Sequence, residues 1–197
     1  EFAAFGRRRA DRVGLTEEGI AVMRGAWSEG PFSFARKHYR MGPIDVDEDW
    51  LRSSRHLHAT GVFPAISETA RAAAHKTLDL MRAAGRSISF DPNLRPTLWA
   101  TPGDMRREIN ALAFKADWVL PGLEEGRFLT GEQSPEAIAR FYRERGAKVV
   151  AVKLGPEGAY FDAEEGTGHV PGFPVKEVID TVGAGDGFAV GVITALL

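Results

Sequence analysis

The sequence has no cysteine, which excludes disulfides and thiolate chemistry. Charge of one sign is also lacking: 25 Lys and Arg against 27 Asp and Glu leave a formal net charge of −2. That balance gives no field to attract nucleic acid or an anionic membrane surface. No apolar run approaches the roughly 20 residues a membrane span needs. No secretory signal pattern is visible, so a cytoplasmic protein is the expectation. There is no Gly-Lys dipeptide, so a Walker-type phosphate loop is absent. No Gly-x-Gly-x-x-Gly follows an early strand, which disfavours a dinucleotide-binding enzyme. The five histidines lack helical metal spacing. His56 and His58 alternate on a strand-like run and read as structural.

What is present fits an ordinary globular protein. The 197 residues are 44% hydrophobic and 26% charged, enough for one domain with a sizeable core. The N-terminus, Glu1-Phe2-Ala3-Ala4-Phe5, reads as a cut end. Residues 1–55 carry the weakest pattern. Ala26-Trp27-Ser28-Glu29-Gly30 has a faint likeness to a nucleophile elbow, but no triad partners follow it. Phe32 to Arg40 alternates aromatic and polar residues like a strand, with Met41-Gly42-Pro43 as its end. Asp45 to Arg52 is acidic and helical in character.

From residue 56 the chain becomes regular. Leu57 to Gly61 reads as a buried strand. Ser67 caps a helix to about Ala84, with Gly85 as its stop. Ile88 to Asp91 is the next strand, and Thr101-Pro102 opens a helix to about Phe114. Trp118 to Leu120 is a third strand. Leu123 to Leu129 is a short helix closed by Gly131, and Ser134-Pro135 starts another that Gly146 ends. Val149 to Leu154 is apolar enough to be a central strand. Ala159 to Phe161 and the Gly168–Pro174 region suit a hairpin. Alternating strands and helices predict an α/β fold with a mostly parallel, Rossmann-like central sheet flanked by helices. Ligands in such sheets bind at the carboxyl ends of the strands.

The organising stretch lies near the end: Asp180-Thr181-Val182-Gly183-Ala184-Gly185-Asp186. A glycine-rich turn feeding an apolar helix leaves backbone N–H groups unpaired at the positive end of the helix dipole. Such a turn is an anion site. Asp186, in the first turn, suits a general base that deprotonates an alcohol attacking a phosphoryl group. These seven residues resemble the C-terminal signature of the ribokinase-type, or PfkB-type, carbohydrate kinases. The resemblance implies a ribokinase-like fold, Gly183, Ala184 and Gly185 as the cradle for the transferred phosphoryl, and Asp186 as the base.

Further loops at strand ends extend the resemblance. Asp91-Pro92-Asn93-Leu94-Arg95-Pro96 is stiffened by proline on both sides, and Arg95 offers a bidentate fork for a carboxylate or phosphate. Read alone, this loop is equally a surface arginine on an Asx-turn. With Phe90 it is similar to the loop of 2-keto-3-deoxygluconate kinases in the same family. That likeness implies Asn93 near the nucleotide phosphates and Arg95 on an acid sugar. Pro121-Gly122-Leu123-Glu124-Glu125 matches a family loop in which the glutamate organises magnesium through water. Glu125 is present, and Gly122 replaces the usual asparagine. Lys153-Leu154-Gly155-Pro156-Glu157-Gly158 resembles the turn that packs against the nucleotide, which implies Lys153, Gly155 and Gly158 as nucleotide contacts. Tyr39-Arg40 is similar to a pair that reaches the acid sugar from the lid side.

The resemblance covers about Arg40 to Leu197. It implies an ATP- and Mg²⁺-dependent kinase of 2-keto-3-deoxygluconate, with a monovalent cation near Asp180. A homo-oligomer of the complete protein stays open. So do two alternatives: a ribokinase- or fructokinase-like kinase of a neutral sugar, and a non-catalytic nucleotide- or sugar-binding remnant. The family's glycine-rich sugar-binding start is not recognisable, and the chain stops inside the helix that Asp186 begins. Residues 1–55 therefore read as an incomplete lid-side segment, and 56–197 as a ribokinase-like core cut short at its C-terminus.

Overall fold

The computed structural model describes residues 12–26, 32–37, 40–44, 48–174 and 180–197. The chain divides into two compact units, Glu1–Glu48 and Asp49–Leu197. In the first, helix α1 (Arg12–Ala26) precedes strands β1 (Phe32–Ala35) and β2 (Arg40–Ile44), which pair antiparallel. The alternation over Phe32–Arg40 is thus two strands, and Met41-Gly42-Pro43 lies inside β2 rather than ending a strand. Proline is tolerated there because both strands of a two-stranded pair are edges. Helix α1 had no clear sequence signal, since Gly14 and Gly19 interrupt its apolar residues. Residues 27–30 of the elbow-like stretch, and Tyr39, lie outside the described residues.

The second unit is built on a six-stranded sheet. Helix α2 (Glu48–Ser53) leads to β3 (His56–Thr60), and α3 (Val62–Ile66) and α4 (Glu68–Ala83) connect it to β4 (Ser87–Asp91). Helix α5 (Pro102–Ala113) connects to β5 (Trp118–Val119), and α6 (Leu123–Thr130) and α7 (Pro135–Arg143) to β6 (Val149–Lys153). The hairpin of β7 (Ala159–Ala163) and β8 (Gly166–Val170) follows, and α8 (Ala184–Leu196) is last. Spatial order equals chain order, with β3 to β6 parallel and the hairpin antiparallel.

The helix boundaries follow local chemistry. Ser67 Oγ accepts from Ala70 N–H, Thr101 Oγ1 from Asp104 N–H and Ser134 Oγ from Ala137 N–H, so each start has its cap. Gly85, Gly131 and Gly146 take the positive φ that ends a helix. In this second unit the short α3, with Pro64 inside it, lacked a signal.

Topology then assigns the two sheet faces. Successive crossovers of one hand, always stepping to the next strand, put every connecting helix on the same side. Ile88, Phe90, Val119, Val150 and Val152 meet α4 to α7 there, in a core that includes Leu78, Ile109, Leu129, Ile138 and Tyr142. The buried Tyr142 hydroxyl donates to Asn110 Oδ1 at 3.0 Å, while Trp99 Nε1, packed against the same core, is buried without a partner among the described residues. On the opposite face, Leu120 and Ala151 pack against Ala189 of α8. The same face carries His56, His58, Ser87, Ser89, Asp91 and Lys153, by strand alternation. Among the described residues, no helix is long and apolar enough to cross a membrane.

Gly61 joins β3 to the loop after β4. A Cβ built there would lie 2.0 Å from the Pro92 carbonyl oxygen and 2.7 Å from Ile109 Cδ1. Gly61→Ala is therefore expected to cost about 1–3 kcal/mol, as overpacking does. Urea denaturation checks this. Gly187→Ala, where nothing lies within 4 Å, is the comparison expected to show no such loss.

Candidate active site

The carboxyl ends of β4, β5 and β6 bring three loops together. From β4 comes Asp91, almost wholly buried, whose Oδ2 lies 2.5 Å from Lys153 Nζ on β6. Burial pushes the Asp91 carboxyl above the usual carboxylate range, and the charge of Lys153 and its hydrogen bond pull it back. Asp91 Oδ1 also accepts from Asn93 N–H at 3.2 Å, an Asx-turn that holds Asn93 at φ 35°.

The next loop is tied to this one by Glu125. Its Oε1 accepts from Leu94 N–H and its Oε2 from Gly122 N–H, both at 2.8 Å. One carboxylate thus closes the N-terminus of α6 and clamps the Asp91–Arg95 loop against it. With both oxygens engaged by amides, Glu125 keeps lone pairs for a metal-bound water but presents no bare oxygen. Among the described residues, no group of three or more His, Asp or Glu side chains is set to hold a metal ion. The residues fit a magnesium ion held chiefly by nucleotide phosphates and water, the usual arrangement for that ion.

Helix α8 brings the third part. Gly183 precedes it with φ 79°, a left-handed turn that glycine adopts without strain. The left-handed position is therefore Gly183, whereas Gly185 sits inside the helix at an ordinary angle. Ala184 N–H is committed to Thr181 O at 3.1 Å. Gly185 and Asp186 N–H have no backbone acceptor among the described residues, so they are the open donors of the first turn. A Cβ on Gly185 would lie 3.8 Å from Lys153 Nζ, so the ammonium stands directly beside those donors. Asp186, in the same turn, is exposed.

A cavity of about 600 Å³ opens here, lined by Lys153, Gly155, Gly158, Thr181, Gly185 and Phe188 among others. Its size suits a small-molecule ligand. Gly155 (φ 62°) has open space around it. Gly158 (φ 95°) is needed for a different reason, since a Cβ there would lie 2.0 Å from the Val170 carbonyl oxygen.

Of the residues singled out in the sequence, Lys153, Gly155, Gly158, Ala184 and Gly185 line this cavity, and Gly183 and Asp186 flank it in the chain. Asn93 and Glu125 belong to the adjoining loops. Arg95 is exposed, and its Nη1 donates to Leu94 O at 2.9 Å; it does not line the cavity. Arg40 lies at the start of β2, in the other unit. Asp180 Oδ1 accepts from Val182 N–H at 2.9 Å, shaping the turn before the glycines. Sequence reasoning passed over Asp91 and His58 as site residues. The available signal was a polar residue at every second position of strands otherwise apolar: His56-x-His58 and Ser87-x-Ser89-x-Asp91.

Known proteins resemble this chain in sequence and in fold. Residues 33–197 match the pfkB family carbohydrate kinase description. Over 153 residues the chain is 50% identical to a 2-dehydro-3-deoxygluconokinase of Bacillus subtilis, covering 78% of this chain and 47% of that protein. A crystal structure of a PfkB protein from Polaromonas sp. JS666 superposes with a TM-score of 0.72 at 73% identity, over 77% of this chain and 49% of the other. A putative ribokinase II from E. coli, in complex with ATP and Mg²⁺, gives 0.68 at 33% identity, over 76% and 48%. The chain spans about half the length of these relatives.

Removing the cation tests the pair at the centre of the site. In Lys153→Met the buried Asp91 loses its partner, and at pH 8 a loss of about 3–5 kcal/mol is expected. A carboxyl whose folded pKa is raised costs stability progressively as pH climbs from its unfolded value through the folded one. The loss should therefore be smaller at pH 5 than at pH 8. Urea midpoints at the two pH values check it, and equal losses would place the effect elsewhere.

Proposed function

Because the chain belongs to the pfkB family of carbohydrate kinases, we propose that the complete protein phosphorylates 2-keto-3-deoxygluconate (2-dehydro-3-deoxygluconate) from ATP. The observation that carries this reading is the junction at α8: Gly185 and Lys153 stand side by side on the wall of a cavity of about 600 Å³, and the open amides of Gly185 and Asp186 and the Asp186 carboxylate belong to the same helical turn.

The chemistry follows from that arrangement. Asp186 takes the proton of the sugar hydroxyl as its oxygen attacks the γ-phosphorus, and the bond to the ADP oxygen breaks. Charge on the transferred phosphoryl falls on the first-turn amides, the helix dipole and Lys153, which are already in place. Gly155 lets the nucleotide approach the backbone, Gly158 lines the same cavity, and Asn93 lies near its phosphates. Mg²⁺, when bound, neutralises phosphate charge; Glu125 contributes through a coordinated water. A monovalent cation beside Asp180 belongs to the same proposal.

The acid sugar is supported by the half-identical relative and by Arg95 on the loop after β4; the family resemblance adds Tyr39 and Arg40 as sugar contacts. In this structure Arg95 spends a donor on Leu94 O. Its fork must turn toward the substrate carboxylate on binding. That same observation keeps a neutral-sugar kinase as the second reading.

Two measurements on the complete protein separate these outcomes. Asp186→Asn should bind ATP nearly as wild type while kcat falls by roughly 10²–10⁴; wild-type turnover would remove the base. Arg95→Lys should raise KM for 2-keto-3-deoxygluconate by about one to two decades, the worth of a charged hydrogen bond. Equal penalties with an acid and a neutral sugar would favour the second reading.

A further inference from the structure

Among the described residues Asp91 is the most buried acid, and it does not line the cavity beside α8. Its surroundings hold it still. It closes β4, its carbonyl oxygen accepts from Gly61 N–H at 3.0 Å, and its Oδ1 accepts from Asn93 N–H at 3.2 Å. Its other carboxylate oxygen, Oδ2, accepts from Lys153 Nζ at 2.5 Å.

Lys153 is a different kind of residue. Its backbone is fixed, since its N–H donates to Pro121 O at 2.8 Å and β6 pairs it with Ala159 of β7. Its side chain is a flexible four-carbon stem that ends in a point charge with three donors. Asp91 takes one donor. The ammonium has no other partner among the described residues, and Lys153 lines the cavity, so two donors are left for a ligand. Nζ stands 3.8 Å from where a Cβ on Gly185 would lie, next to the open amides of the first turn of α8.

A carboxylate behind that ammonium has an electrostatic consequence. A site built only to attract phosphate gains nothing from it, because the carboxylate repels the same phosphate. What Asp91 adds is geometry. A charge-assisted hydrogen bond from a fixed, buried oxygen holds the ammonium in one place before a nucleotide arrives. Phosphoryl transfer is sensitive to such placement, since a displacement of about 1 Å costs roughly 10²-fold in rate.

We propose that Asp91 is a positioning residue for phosphoryl transfer: it holds the Lys153 ammonium beside the Gly185 and Asp186 amides, so that the two remaining donors meet the group being transferred. Asp91 acts through Lys153 and does not itself touch substrate. The role in transfer rests on the kinase reading above. The effect of the pair on phosphate binding does not.

The first test needs no turnover. In the complete protein Asp91→Asn keeps an acceptor for Asn93 N–H and removes the charge that pairs with Lys153. Bound phosphates then become the counter-charge of the ammonium, so calorimetry should show ATP binding at least as tight as in wild type. Weaker binding overturns the proposal. The second test is kinetic. In the same variant kcat should fall roughly 10- to 10²-fold, with KM for ATP not raised. A folded variant with wild-type kcat leaves Asp91 a purely structural role and overturns the proposal. So does a loss of kcat that added Mg²⁺ restores, which would make Asp91 a metal ligand. Lys153→Arg covers the case in which Asp91→Asn does not fold. It keeps the buried ion pair and shifts the cationic end, so it should bind ATP and show a similar fall in kcat; full activity overturns the proposal. A wild type that binds ATP and phosphorylates no sugar sinks the kinase reading and the role in transfer with it. The ATP affinities of wild type and Asp91→Asn still decide what the pair does to phosphate binding.

Discussion

Asp91 is a carboxylate with almost no access to water, and Lys153 lying against it is what allows it to stay charged. The two residues come from strands separated by β5, so their contact spans the sheet at its carboxyl edge. It fixes where the ammonium stands, and the ammonium in turn stands beside Gly185. The loop after β4, the cavity wall after β6 and the start of α8 therefore share one electrostatic anchor. Breaking a buried pair leaves an uncompensated charge, which is why this contact constrains more of the site than any single packing interaction.

The two faces of the sheet divide the work. One-way crossovers place every connecting helix on the face lined by Ile88, Phe90, Val119, Val150 and Val152, and the large apolar residues are used there. The other face carries Trp118 and Leu120 among small and polar residues. Ala151 and Ala189 let α8 settle close to the sheet. The histidines, serines, Asp91 and Lys153 fill the rest, each with a partner. Glu125 shows the same economy: a single carboxylate satisfies two backbone amides and joins two loops that would otherwise move independently. The open backbone donors at the start of α8 and the Lys153 ammonium stand side by side in this pfkB family member.

Much of this was legible in the chain by itself. Caps such as Ser67, Thr101 and Ser134, stops such as Gly85, Gly131 and Gly146, and short apolar strands between them set the order of elements, because those signals act over a few residues. The Asp180–Asp186 stretch likewise announced a glycine turn feeding a helix start. Local chemistry failed where it was weak or borrowed. Helix α1 has no clean apolar stripe, and the β1–β2 pair places a Gly-Pro inside a strand because an edge forgives it.

What the sequence by itself determined, then, is the α/β succession, the glycine turn before α8 and the place of Asp186 in its first turn, all consequences of neighbouring residues. Only the tertiary structure decided that Asp91 and Lys153, 62 residues apart, form a pair. It also decided that Glu125 is a clamp between loops, that Arg95 turns to its own backbone, and that Gly183 rather than Gly185 needs the left-handed turn. Each depends on which strands lie side by side and which way a side chain points across a gap. Spacing along a chain does not carry that information, since charge pairing and burial are set by distance in space.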